Sequence, residues 1–259
     1  MDLSGELFQV LANRLADIAP LASRIEGFLQ SLDVPGDTIF RVNLAIEELL
    51  TNIISYGYDD GGRHLIQVTV SVTGAAVTVG IEDDGAAFDP FARAPVDTVA
   101  GIDERSPGGL GIHLVKEMIG AVAYWRSGGR NRITLRQPFA GAPARAAERG
   151  EKMSEATCPA VLEPAGRLDA NTSPAFEQEM LDELTRSPHG LVMDFSALLY
   201  VSSAGLRVVL LAAKKVKAQG GVFVLCGLKP AIAEVFRVSG FLSILTVEPD
   251  RAAALARFA

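Results

Sequence analysis

The sequence has little from which to build a metal or redox centre. Its two cysteines, Cys158 and Cys226, stand far apart without metal-ligand spacing, and three scattered histidines add no ligand cluster. A reducing cytoplasm is the setting that such usage points to. Long apolar runs are also missing: no stretch approaches the roughly 18 residues of a membrane span, and the opening MDLSGELF lacks a basic-then-apolar signal character. The expectation is a cytoplasmic protein with no membrane partner. Excess basic charge is absent too. Residues 1–139 hold 18 acidic and 11 basic side chains, whereas 156–259 hold 10 of each. An acidic first half argues against nucleic acid as a partner, because phosphate contacts need clustered Lys and Arg.

What is present suits a globular protein of two ordinary domains: 259 residues, 49% hydrophobic and 21% charged. Residues Leu15 to Leu32 read as an amphipathic helix interrupted by Pro20, and the Pro35-Gly36-Asp37 turn launches a second helix. Two alternating segments, His64 to Thr73 and Ala76 to Glu82, are separated by Gly74 and predict an antiparallel hairpin. A helix over Ile112 to Ile119 and strands over Ala121 to Arg126 and Ile133 to Arg136 complete the unit. Helices first, then strands, predict an α+β sandwich. Residues 137–155 are rich in Ala, Pro, Gly and charge without apolar period, which describes a linker. The remaining hundred residues alternate strand and helix: strands at Val161 to Ala165, Gly190 to Phe195 and Val222 to Cys226, and helices from Ser173, from the serines at 202–203, over Pro230 to Val238 and over Pro249 to Phe258. That alternation predicts a small α/β domain.

Chemistry concentrates in the second helix. Glu48 and Asn52 lie four residues apart, hence on one face, while Val42, Ile46, Leu49, Leu50 and Ile53 gather on another. Asn is a mediocre helix former with no structural reason to sit mid-helix, so the pair is a candidate site. The second hairpin strand runs into Asp83-Asp84-Gly85; a carboxylate there suits an exocyclic amine, although taken alone the stretch reads first as an Asp-Gly turn. Asp89 to Pro107 carries three prolines and is too long for an ordinary connector; such a loop is a lid or a disordered segment. It ends in Gly108-Gly109-Leu110-Gly111 before a helix, where backbone amides and the helix dipole can face phosphate. Ser202 and Ser203 open a helix in the second domain, a position that an N-cap explains equally well.

Taken together, the three sites of the first domain resemble the ATP-binding fold shared by histidine kinases, gyrase and the bacterial anti-sigma serine kinases, often called GHKL. Glu48 and Asn52 match its Glu-xxx-Asn box, Asp83-x-Gly85 its first glycine box and Gly109-Leu110-Gly111 its second. The wording EELLTN, DDGAAFDP and GGLGIHLV is nearest to the anti-sigma-factor kinase branch. The resemblance implies Asp83 at the adenine amine, Gly85 beside it as a cofactor-binding residue, Asn52 as a Mg²⁺ ligand, Glu48 as general base and Gly109, Leu110 and Gly111 at the phosphates of ATP. Ser55 and Tyr56 depart from it, standing where relatives often have a basic residue and a histidine.

The second domain resembles the STAS family of anti-sigma-factor antagonists through Gly166-Arg167-Leu168-Asp169 and VSSAGLRVVLL. In such antagonists a serine at this helix start is the phosphoacceptor; Ser203 aligns first and Ser202 second. Ser202 replaces an Asp often found there, and the first strand looks shortened. The organisation implied is a two-layer α/β sandwich of the GHKL type over 1–139, a flexible linker over 140–157 and a small α/β STAS domain over 158–259. The implied function is a partner-switching serine kinase fused to its own kind of substrate, with ATP and Mg²⁺. Implied partners are a sigma factor or similar output, a separate STAS antagonist or PP2C-type phosphatase, and a second copy in a homodimer. The alternative is a non-catalytic ATP-binding module whose STAS domain docks partners. A sensor histidine kinase fits poorly, because His113 lies on the wrong element and no dimerisation helix carries a phosphoacceptor histidine.

Overall fold

The computed structural model describes residues 4–92, 109–139, 159–186 and 190–258. The described residues fall into two compact units, one on each side of the 140–158 stretch. From residue 140 on, the expected linker lies outside the described residues, as does most of the proline-rich 89–107 loop; Gln137 and Pro138, expected as the linker's start, end a strand instead.

In the first unit a five-stranded antiparallel sheet runs in the order β1-β2-β3-β5-β4, from β1 (Ser4–Ala12), β2 (Leu65–Thr73), β3 (Ala76–Asp83), β4 (Ala121–Ser127) and β5 (Arg130–Pro138). Helices α1 (Ile18–Ser31) and α2 (Gly36–Tyr56) supply the apolar layer over one face, with α3 (Leu110–Met118) beside α2. Val68, Val70, Val79 and Ile81 alternate inward along the strands and meet Ile25, Leu29, Ile46 and Leu50. The expected two-layer sandwich is therefore present. Its order differs in one respect, since a strand precedes the helices. Strand β1 pairs along its whole length with β2, yet its outward residues Phe8 and Val10 are exposed at the sheet edge. An edge strand of this kind lacks the clean polar-out alternation that reveals a strand. Pro20 does not interrupt α1. It is the third residue of that helix, where its missing N–H is one of the donors that have no partner in any case.

The hairpin forms as expected: Thr73 faces Ala76 across a two-residue turn, with Gly74 at φ 58°. This register decides where chemistry sits, because it carries β3 to Asp83, opposite Asn131 of β5.

The second unit is an α/β domain. A parallel sheet runs β11-β10-β8-β6, from β6 (Ala160–Leu162), β8 (Gly190–Asp194), β10 (Val222–Cys226) and β11 (Thr246–Glu248). A separate parallel pair joins β7 (Gly166–Leu168) to β9 (Leu198–Val201). Helices α4 (Ser173–Arg186), α5 (Ser203–Ala218), α6 (Pro230–Val238) and α7 (Arg251–Leu255) complete it. The expected strand to Ala165 stops at Leu162, two residues before Pro164, which has no N–H for a ladder. The expected terminal helix is shorter than the pattern suggested: it starts at Arg251, capped by the Asp250 carboxylate accepting from the Ala253 N–H at 2.8 Å. Cys226 is free and buried in β10, and burial pushes its thiol up to about 12, so it is no nucleophile. Cys158 lies outside the described residues.

Candidate functional site

Helix α2 holds Glu48 and Asn52 one turn apart. Glu48 is only 4% exposed, and Asn52 is half-buried. The Asn52 side-chain nitrogen donates to the Glu48 carbonyl at 2.8 Å, so its amide oxygen is the atom that remains for a cation. A second polar pair at the same spacing, Asn43 and Glu47, is also buried on α2 and was not singled out by the sequence pattern. The Asn43 side-chain oxygen is buried without a partner among the described residues.

Asp83 ends β3, and its Oδ1 accepts from the Gly85 N–H and from Asn131 Nδ2, both at 2.8 Å. The turn anticipated from Asp-Gly is therefore real and coexists with a buried carboxylate. Burial raises the Asp83 carboxyl; the Asn131 and Gly85 donors oppose it, Asp84 adds to the rise and Arg126 works against it. A Cβ on Gly85 would lie 2.7 Å from the Gly57 carbonyl oxygen and 2.9 Å from Asp83 Oδ1, so no other residue fits without displacement. Gly57 caps the C-terminus of α2, and its carbonyl accepts from the Ala86 N–H at 2.8 Å. This bond ties the end of β3 to the helix that carries Glu48 and Asn52.

The third expected element differs in detail. Gly109 is the left-handed N-cap of α3 at φ 82°, and Leu110 and Gly111 are already its first helical residues. Leu110 is buried, so its side chain packs and only its backbone faces outward chemistry. The N–H groups at this helix start have no intrahelical partner, the property an anion uses.

A latch missed by sequence reasoning closes the loop after α2. His64 stacks on Tyr58 with ring centroids 4.2 Å apart, and its ring nitrogens face Asp60 at 3.0 Å and Asp84 at 3.1 Å. The hydrogen bond to Asp60 is the main cause of a raised His64 value, with Asp84 adding to it. A raised histidine contributes stability that is full below its ordinary value of 6.5 and is lost as pH rises through the folded value. Thermal unfolding of His64→Gln is therefore expected to fall below wild type at pH about 6 and to coincide with it by pH about 9. A gap of equal size at both pH values would show that the imidazolium is not the source. The gap is small in any case, because water screens an exposed pair.

In the second unit the two motifs meet. The Ser202 N–H donates to the Leu168 carbonyl at 3.0 Å, and a Cβ on Gly205 would lie 2.6 Å from that same oxygen. Asp169 accepts from the N–H groups of Asn171 and Thr172 and pairs with Arg167 at 2.9 Å, while Arg167 lies 3.7 Å over the Tyr200 ring. Ser202 is the N-cap of α5, its hydroxyl accepting from the Ala204 N–H at 3.2 Å. Ser203 is the first helical residue; it is 7% exposed against 1% for Ser202. Among the described residues no helix is long and apolar enough to cross a membrane.

Comparison with known proteins matches each unit to a family. Residues 11–137 match the histidine kinase-like ATPase domain family and residues 152–254 the STAS domain family. A Bordetella bronchiseptica protein that carries the name anti-sigma factor antagonist, BtrV, is 44% identical over 93 residues, covering 36% of this chain and 80% of its own. The serine/threonine-protein kinase BtrW of the same organism is 33% identical over 96 residues, covering 37% of this chain and 68% of its own. A structure of the RsbU and RsbW domains of a Mycobacterium tuberculosis protein aligns at 16% identity and a TM-score of 0.40, over 56% of this chain and 35% of that one. The chain thus belongs to two families in one polypeptide, a histidine kinase-like ATPase domain followed by a STAS domain.

Proposed function

We propose that the chain is an ATP-dependent protein serine kinase of a bacterial partner-switching system, with its own STAS domain as phosphoacceptor. The observation that carries this reading is the buried Glu48 carboxylate one helical turn before Asn52, on the helix tied through Gly57 to the Asp83 turn. In the proposal Asp83 accepts from the adenine amine, and Gly85 lets the turn close against Gly57 and Asp83, where a Cβ would clash. Asn52 presents its amide oxygen to Mg²⁺, which needs one or two protein ligands beside phosphate and water. The amides at the start of α3, from Gly109 through Leu110 to Gly111, face the phosphates. These residue types fit Mg-ATP, which when bound supplies the phosphoryl group and neutralises its charge.

Glu48 accepts the proton of the incoming serine hydroxyl as its oxygen bonds to the γ-phosphorus and the bond to the ADP oxygen breaks. Positioning and charge neutralisation dominate such a transfer. The acceptor is Ser203, with Ser202 second. Domain limits of 1–139 and 158–259 about a flexible linker make the encounter intramolecular, at an effective concentration on the order of millimolar. A phosphate at Ser203 adds about −1.5 to −2 charges at a helix start and changes which acidic surface docks there. The partners proposed are a sigma factor or similar output, a further STAS antagonist, a PP2C-type phosphatase and a second copy of the chain.

One observation favours a non-catalytic ATP-binding module instead. Tyr56 is largely exposed at the end of α2, and with Ser55 it puts no basic group on that turn.

Calorimetry with Mg-ADP tests the shared first step. Wild type is expected to bind, and Asn52→Ala to lose at least about tenfold in affinity, with excess EDTA lowering wild type in the same way. Absence of binding in wild type, or affinity indifferent to both Asn52 and magnesium, sinks the reading.

A further inference from the structure

We propose that Asn131, held in one orientation by Arg126 and Tyr124, fixes Asp83 for a 6-amino purine and so sets the base selectivity of the nucleotide site. The inference rests on the reading of Asp83 as the base-binding group given above. Asn131 is buried opposite Asp83 in the β3–β5 ladder. Its side-chain nitrogen donates to Asp83 Oδ1 at 2.8 Å and to the Ala86 carbonyl at 2.9 Å, with the Gly85 carbonyl further away at 3.4 Å. Its side-chain oxygen accepts from the Arg126 guanidinium at 2.6 Å and from the Tyr124 hydroxyl at 3.0 Å. Turning the amide over would set its oxygen against the Asp83 carboxylate and its N–H groups against a guanidinium. One sense alone satisfies every partner. Arg126 also donates to the Gly85 carbonyl at 3.0 Å, which anchors the guanidinium on the turn that it serves.

The consequence falls on Asp83. Its Oδ1 takes two donors, Asn131 and the Gly85 N–H, which leaves Oδ2 as the oxygen for an exocyclic amine. A 6-oxo purine presents a lone pair at that point, and an ionised carboxylate has no proton to offer it. Without Asn131 the carboxyl loses one of the two donors that orient it and favour its charged form, in surroundings where burial already favours the neutral acid. Asp84 opposes the charge as well, and Arg126 favours it. A neutral carboxyl can donate to a 6-oxo group, so the distinction between the two bases fades. Asn131 acts through Asp83 and is a positioning residue.

The test is the ratio of ADP to IDP affinity by calorimetry on the full chain. Wild type is expected to favour ADP at least about tenfold, the worth of one hydrogen bond to a charged group. Asn131→Ala is expected to bring the two nucleotides within about threefold of each other, and Arg126→Met to give an intermediate ratio. Arg126 is exposed at the end of β4, so Arg126→Met carries the test even if Asn131→Ala does not fold. A ratio unchanged in the folded variants, or equal losses for both nucleotides, overturns the role of Asn131. A wild type that binds ADP and IDP equally overturns instead the base-binding reading of Asp83 and the inference with it.

Discussion

Glu48→Ala is expected to lower phosphate transfer by roughly 10²–10⁴-fold while leaving Mg-ADP affinity within a few-fold of wild type, the signature of a lost general base. Ala is the best helix former, so the substitution leaves α2 in place. The neighbouring Glu47 supplies the control. It is equally buried, but the polar residue one turn before it is Asn43, away from the Asn52 face. Transfer that survives Glu48→Ala and fails in Glu47→Ala would move the base by one residue and detach it from the proposed metal ligand. Glu48→Gln separates basicity from shape, since it keeps the volume and hydrogen-bonding outline of the side chain.

The second large effect concerns the acceptor. Ser203→Ala is expected to abolish phosphate incorporation into the STAS domain with little change in its stability. Ser202→Ala is expected to retain incorporation while destabilising the domain by about 1 kcal/mol, because the Ser202 hydroxyl caps α5 through Ala204. The two serines thus answer differently in two measurements, phosphosite mapping and thermal unfolding. The reverse pattern, phosphate lost in Ser202→Ala and kept in Ser203→Ala, assigns the chemistry to the cap. The helix start itself favours either product, since its unpaired N–H groups and dipole stabilise a phosphate there.

Much of this was legible in residue order because the relevant interactions are local. Alternation across Gly74 announces the hairpin, helical spacing sets Glu48 beside Asn52, and glycine before an apolar period marks the start of α3. What escaped is held by long-range pairing. Asn131 acquires meaning only when β5 lies against β3 and sets it opposite Asp83. His64 matters because the loop after α2 folds back to Asp84. Strand β1 escaped for a different reason: at a sheet edge, exposed Phe8 and Val10 blur the alternation by which a strand is read. Local rules also misplaced two boundaries. Leu110 reads as part of a phosphate loop, yet its side chain is required by the core and so draws the helix start back to itself. Pro20 reads as a break, but in the first turn of a helix it removes no hydrogen bond.

The central claim is that one chain contains both the transferring and the accepting group. Its most direct measurement is the intact mass and phosphosite map of the purified full chain after incubation with Mg-ATP, at several protein concentrations. The account predicts a single phosphate, located on Ser203, formed at a rate independent of protein concentration and absent in Glu48→Ala. A chain that binds Mg-ATP yet stays unphosphorylated, alone and with separate STAS antagonists added, would contradict it.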